Sequence, residues 1–255
     1  MREHKILSNY NQTELNVFAI WQDSTNQDLI RTLCRFSELV RHYGYNVEPY
    51  SINALERLEQ MPKEKVQEIT ASFKTWCAFI EPTMEDGVSR DPATLEEMFL
   101  RKALAHYDLH VSEEFWKTLE RDTLIEIYGQ NMVQIYRSLN FFSVCAYSLL
   151  DLSVYEWFVL YQRPTQISQE LLYCAQEALV DFVSVKTIEV PKHIIREHHH
   201  SGNTVPFRPK AIHVEMNYIS SLFTAFAEDR PSAFICTSKA RVIAEGEDAE
   251  KIQFV

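Results

Sequence analysis

The pattern of the chain changes at residues 122–138, which read DTLIEIYGQNMVQIYRS. Two runs rich in Ile, Val and Tyr flank a Gly-Gln-Asn turn, an arrangement typical of a β-hairpin. We predict strands over residues 124–128 and 132–137. Upstream of this hairpin the apolar residues recur with the period of an α-helix, whereas several downstream runs alternate. The hairpin therefore follows a change from a helical part to a mixed α/β part, which we place at residues 118–123.

The part before the hairpin is predicted to be helical. Asp23 or Ser24 can cap a first helix that ends at Gly44. Further helices are expected at residues 51–61, 62–79, 94–108 and 112–120. The segment EPTMEDGVSRDP, residues 81–92, holds two prolines, a glycine and four acidic residues, which favours a loop.

The part after the hairpin combines short helices with strands. Short helical turns are expected over residues 140–160, and Thr165 or Ser168 begins a longer helix that ends near residue 180. Three β-rich segments follow, at residues 183–199, 207–224 and 232–244, and SGNTVP forms the turn after the first of them. The order is therefore two strands, several short helices, one longer helix and three strands.

This order resembles the PAS fold, a small antiparallel sheet of five strands with helices over one face. The most similar stretch is IYGQNMVQIYRSLNFFSVCAYSLLDLSVYEWFVLYQRP, in which Tyr147, Ser148, Asp151 and Leu152 match the family pattern Gly-Tyr-Ser-x-x-Glu-Leu. Ala146 stands in place of the family glycine, and the later glycine of the family is absent. The resemblance covers about half of the chain and none of the helical part.

The resemblance and the change of pattern together predict an α+β protein of two domains. A helical domain is expected over residues 1–120 and a PAS-like sensory domain over residues 121–245. Residues 246–255 form an acidic tail.

A group of aromatic residues over positions 141–161 is the candidate ligand site. Aromatic rings can line a cavity, and Tyr and Trp add polar groups that orient a small molecule. The alternative is that these rings fill the core between helices and sheet, as most aromatic stripes do. The resemblance implies that the same helices border a pocket. The predicted ligand-binding residues are Phe142, Tyr147, Trp157 and Tyr161.

No catalytic signature is present. The chain contains no GxSxG, GxGxxG or GxxxxGK[ST] motif, so we predict no catalytic residue. The five cysteines are scattered and never form a CxxC pair, which predicts small core residues in a reducing compartment. An enzyme without a recognisable motif remains an alternative, and the cofactor is unknown.

The histidines are the one group with metal-ligating chemistry. His198, His199 and His200 are consecutive, so neighbouring side chains in a strand point to opposite faces. No cysteine or carboxylate stands at ligand spacing, and we predict an exposed hairpin end without a metal. A haem sensor would need His193 or His213 as its axial ligand.

Charge and hydropathy bear on location and partners. The net charge of −11 argues against a nucleic-acid surface. The first residues lack the apolar segment of a secretory signal, and no run reaches the roughly 18 apolar residues of a spanning helix. We expect a cytoplasmic protein that does not bind a membrane.

The leading hypothesis is a non-enzymatic sensory or regulatory protein of signal transduction. Its PAS-like domain would bind a small molecule or a protein partner and relay this through the helical domain. Another protein or a second copy of the chain is the expected partner. The alternative is an interaction scaffold with a filled core, against which a cavity of ligand size would count.

Overall fold

The computed structural model describes residues 23–85, 92–130, 132–180, 187–198, 208–224 and 231–254. The upstream part is helical, as predicted. Its helices are α1 (Ser24–His42), α2 (Ile52–Glu59), α3 (Lys63–Glu85), α4 (Pro92–His106) and α5 (Glu113–Thr118).

Three helix starts follow directly from local sequence. The Asp23 carboxylate accepts a hydrogen bond from the backbone N–H of Thr25 at 2.8 Å. The hydroxyls of Ser51 and Ser112 each accept one from the N–H three residues later, both at 3.2 Å. These side chains satisfy N–H groups that have no partner within the helix, so the predicted caps are confirmed.

The predicted loop over residues 81–92 is wrong in its first part. Helix α3 continues past its predicted end at residue 79 to Glu85, through Pro82. Proline disfavours a helix interior, but the buried stripe Val66, Ile69, Phe73, Trp76 and Ile80 holds this helix against the core. Residues 86–91 lie outside the described residues.

The downstream part begins with the predicted hairpin and three short helices. The hairpin strands are β2 (Thr123–Gly129) and β3 (Gln134–Arg137). The elements that follow are α6 (Phe141–Val144), α7 (Asp151–Val154), α8 (Trp157–Leu160), the two-residue strand β4 (Tyr161–Gln162) and the longer helix α9 (Thr165–Val180). The longer helix begins at Thr165 and ends at residue 180, as predicted.

The remaining strands complete one antiparallel sheet. They are β5 (Thr187–Glu189), β6 (His193–Glu197), β7 (Lys210–Thr224) and β8 (Ala233–Glu245), followed by the short helix α10 (Glu247–Glu250). The strands lie in the order β3-β2-β8-β7-β6-β4, and β5 also pairs with β7. A mixed helical and antiparallel fold with a helical first part is therefore confirmed, but the described sheet holds eight strands instead of the five that the resemblance implied, because β1 and β4 are two-residue strands and four strands follow α9. The predicted turn SGNTVP lies outside the described residues.

Both faces of the sheet are covered. On β2, Ile125 and Ile127 belong to the core shared with the helical part, whereas Glu126 and Tyr128 face a cavity on the other side. This opposition follows from the alternation of side chains along a strand.

One hydrophobic cluster crosses the predicted domain boundary at residues 118–123. The centre of the Phe36 ring in α1 lies 5.2 Å from that of Phe73 and 5.6 Å from that of Trp76. It also lies 6.2 Å from the ring centre of Phe142, which follows the boundary in the chain. A strand that the sequence pattern did not predict, β1 (Leu109–His110), pairs with the end of β7. The boundary itself stays a prediction, but the two parts share their packing.

None of the described helices is both long enough and apolar enough to cross a membrane.

Candidate ligand cavity

A cavity of about 530 Å³ lies between the sheet and the short helices. One wall is the face of β2, β6, β7 and β8 that carries Glu126, Ile195, Ile212 and Phe234, and α6 to α9 form the opposite wall. Helix α3 of the helical part also reaches the cavity. Met132, Phe158 and Leu172 line the cavity and are exposed, so they lie where it meets solvent.

Three of the four predicted ligand residues line the cavity and one does not. Phe142, Trp157 and Tyr161 line the cavity. Tyr147 lies beside Tyr161, with the two ring centres 5.5 Å apart, and is not among the lining residues. Whether any of these residues binds a ligand stays a prediction.

The Tyr147 hydroxyl has a structural role. It accepts the backbone N–H of His198 at 2.7 Å and lies against the carbonyl oxygens of Leu160 and His198. A hydroxyl has one proton and so donates to one of these carbonyls. These contacts hold the end of α8 beside the end of β6.

The family-like residues Ser148 and Asp151 are hydrogen-bonded to each other across the turn before α7. The Asp151 carboxylate accepts the Ser148 N–H at 3.0 Å and its hydroxyl at 2.5 Å, and the Ser148 hydroxyl accepts the Asp151 N–H at 3.1 Å. The second carboxylate oxygen accepts the Ser51 hydroxyl at 2.7 Å. The Asp151 carboxylate therefore closes this turn and connects it to the residue that caps α2 in the helical part.

A polar network that sequence reasoning missed lies in the cavity wall. Oε1 of Glu126 accepts hydrogen bonds from Gln134 at 2.6 Å, Tyr128 at 3.1 Å and the Arg137 guanidinium at 3.1 Å. Burial, the largest single effect, lowers the pKa of Arg137, but the interactions with Glu126 and the neighbouring groups together outweigh it and the pKa is raised. Arg137 and Glu126 form a partly buried ion pair. Alternation along β2 could have indicated that Glu126 and Tyr128 share a face.

Arg163 stands apart from this network. Its guanidinium carbon lies 4.5 Å from the centre of the Trp157 ring, which is a cation–π contact. Its Nε is buried and has no hydrogen-bond partner among the described residues. Burial lowers the pKa of Arg163 to about 10, so the group is still charged at neutral pH.

Cys145 and His193 also line the cavity. Burial raises the pKa of the Cys145 thiol to about 12, so it is not a thiolate nucleophile at neutral pH. The Nδ1 of His193 lies 2.8 Å from the carbonyl oxygen of Pro191; a carbonyl only accepts, so this nitrogen carries the proton. Burial lowers the pKa of His193, which favours the neutral ring.

The other histidines that were considered as ligands are not gathered into a site. His213 does not line the cavity and lies 3.5 Å from Glu215. His199 and His200 fall outside the described residues. Within the described ranges, no group of three His, Cys, Asp or Glu side chains could hold a metal ion.

Known proteins offer no match. No protein-family model, no curated protein and no solved structure matches this chain.

Proposed function

We propose that this chain is a non-enzymatic sensory or regulatory protein that binds a small molecule in the cavity. The observation that carries the proposal is the cavity itself, whose volume of about 530 Å³ falls within the range of small-molecule sites. Apolar and aromatic residues form most of its wall, with a few polar groups between them. This combination is typical of ligand pockets.

The proposal includes a PAS-like identity for the second part of the chain. Two strands, three short helices, the two-residue strand β4, one longer helix and four further strands follow one another, which is the order that suggested the resemblance with β4 and one later strand added. The sheet is antiparallel, and the short helices and α9 lie over the face that borders the cavity. These features support the proposal.

A route for relaying occupancy starts at α3. Ile69, Phe73 and Trp76 of this helix line the cavity and also belong to the core of the helical part. The Trp76 indole N–H donates to the Ile135 carbonyl at 2.7 Å, so α3 is joined to the hairpin. A ligand that contacts this wall would favour one packing of α3 over another and thereby shift the population of the helical part.

The test combines native mass spectrometry of the protein from its own host with thermal-shift screening of small molecules. We expect one bound molecule or a compound that raises Tm, because a ligand that binds the folded state stabilises it. Ala240→Phe places a ring at the cavity wall, which narrows the space for a ligand and should weaken or abolish the response. Ala244→Phe, on the same strand but outside the cavity lining, is the control.

Absence of both a bound molecule and a stabilising compound would contradict ligand sensing and favour the filled scaffold. Equal responses in the Ala240→Phe and Ala244→Phe proteins would show that the ligand binds elsewhere.

A further inference from the structure

The charges around the cavity do not cancel. The guanidinium groups of Arg137 and Arg163 and the carboxylate of Glu126 line its interior. Glu126 is committed to Arg137, with which it forms an ion pair at 3.1 Å. Of the other two charged groups at the lining, Lys65 is half-buried and paired with Glu68, and Glu156 is exposed. One positive charge, that of Arg163, is therefore left over inside.

Arg163 is half-buried, and its Nε lacks the partner that an enclosed donor requires. This nitrogen is enclosed by protein and has no hydrogen-bond partner among the described residues. An enclosed donor without a partner destabilises the folded state. The Trp157 ring offers a cation–π contact but no hydrogen-bond acceptor. The two terminal NH2 groups of the guanidinium are not among the enclosed atoms, and their paired donors match the oxygens of an anion.

We propose that the cavity ligand is an organic monoanion, a carboxylate or a group of similar charge, bound by the guanidinium of Arg163. This rests on the proposed function, because it names the ligand class of the same cavity. The apolar body of the ligand lies along the aromatic wall beside Trp157, Phe141 and Tyr161.

The surroundings favour this class over other anions. The lining is mainly apolar, which suits a hydrocarbon or aromatic body rather than an inorganic anion. One uncompensated guanidinium matches one negative charge. A polyanion would meet the Glu126 carboxylate and the net charge of −11 on the whole chain.

The experiment compares two fluorescent dyes that share one aromatic skeleton. 1-Anilinonaphthalene-8-sulfonate carries a negative charge, and N-phenyl-1-naphthylamine is neutral. We expect the folded wild-type protein to bind the anionic dye more tightly. In Arg163→Met this dye should bind about 10- to 100-fold more weakly, because its hydrogen bonds to the guanidinium are lost. The affinity for the neutral dye should not change.

Arg241→Met is the matched control, because Arg241 is exposed and paired with Glu215 outside the cavity. It should leave the affinity for both dyes unchanged. Circular dichroism shows whether each variant is folded, which distinguishes binding in the cavity from binding to a partly unfolded core.

The outcomes separate the two proposals. Equal affinity of the wild type for both dyes, or an anion preference that survives in Arg163→Met, would overturn the anion proposal and leave ligand binding intact. Binding of neither dye would overturn both.

A second measurement needs only the wild type. 1-Naphthaleneacetate should displace the anionic dye at a concentration about 10-fold or more below that of 1-naphthaleneacetamide, which has the same shape without the charge. Equal displacement by the two compounds would contradict the role of Arg163 even if Arg163→Met does not fold.

Discussion

At the scale of single residues, a substitution of Trp157 distinguishes an open ligand site from a packed core. Its side chain is half-buried, lines the cavity and lies under the Arg163 guanidinium. Truncation of a tightly packed Trp costs about 3–5 kcal/mol, and beside an existing cavity there is less packing to lose. We expect Trp157→Ala to lower the free energy of unfolding by about 1–2 kcal/mol and to abolish ligand-induced stabilisation.

Urea denaturation and thermal shift measure these two effects. Tyr173→Ala, an exposed aromatic on α9, should change stability by less than about 0.5 kcal/mol. A Trp157→Ala protein with wild-type stability and wild-type ligand response would place this side chain on the surface.

Two buried carboxyls give the stability a pH dependence. Burial raises the pKa of Glu96 and that of Glu197 to about 7 from the ordinary 4.5, against the opposing effect of backbone N–H donors. Below pH 4.5 both states hold these protons; as the pH rises towards 7 the unfolded state releases them first. Stability should therefore fall between pH 4.5 and 7, by roughly 3 kcal/mol per group.

Thermal unfolding across this pH window tests the prediction. Glu96→Gln mimics the protonated carboxyl and still accepts the Asn140 N–H, so it should remove about half of the fall and leave the part due to Glu197. Glu97→Gln changes its exposed neighbour and should leave the slope as in the wild type. An unchanged slope in Glu96→Gln would mean that this carboxyl is not the titrating group.

At the scale of elements, the joint between α3 and β3 depends on Trp76. Its indole N–H is hydrogen-bonded to the Ile135 carbonyl, and its ring packs 4.7 Å from Phe73. Trp76→Phe keeps an aromatic ring and removes the hydrogen bond. We expect a loss of about 1–2 kcal/mol in urea denaturation and faster hydrogen exchange in β3.

Trp116→Phe is the matched change on α5. Trp116 packs under the Arg101 guanidinium at 3.7 Å, and its indole N–H has no hydrogen-bond acceptor among the described residues. Its replacement should leave exchange in β3 unaltered. Equal effects of the two substitutions would contradict a specific joint at Trp76.

At the scale of the whole molecule, the shared core predicts that the two parts stabilise each other. Residues 121–254 on their own would expose Ile125, Ile127 and Ile235, which are buried against the helical part. We expect this fragment to aggregate, or to melt well below the full chain. Circular dichroism and size-exclusion chromatography check this, with the full chain as reference.

Limited trypsin digestion offers a milder version of this test. Cleavage at Arg90, in the segment predicted as a loop, should leave two pieces that elute together.

A fragment 121–254 that unfolds cooperatively at the temperature of the full chain would instead support independent domains divided at residues 118–123.

The sequence by itself determined the local structure and its order. The caps at Asp23, Ser51 and Ser112, the hairpin and the start of α9 at Thr165 were all predictable, because they depend on side chains within a few residues of each other. The helical part and the later strands followed from hydrophobic periodicity. A two-residue strand such as β1 gives no periodic signal and was missed.

Only the tertiary structure decided which side chains meet. Tyr147 was expected at the ligand site by its aromatic type, but its hydroxyl contacts the backbone at Leu160 and His198. Arg163 gave no sequence signal, and its Nε without a partner lies in a wall built by distant elements. Strand register and helix packing place Glu126 beside Arg137 and leave Arg163 facing an open cavity, and neither depends on local sequence alone.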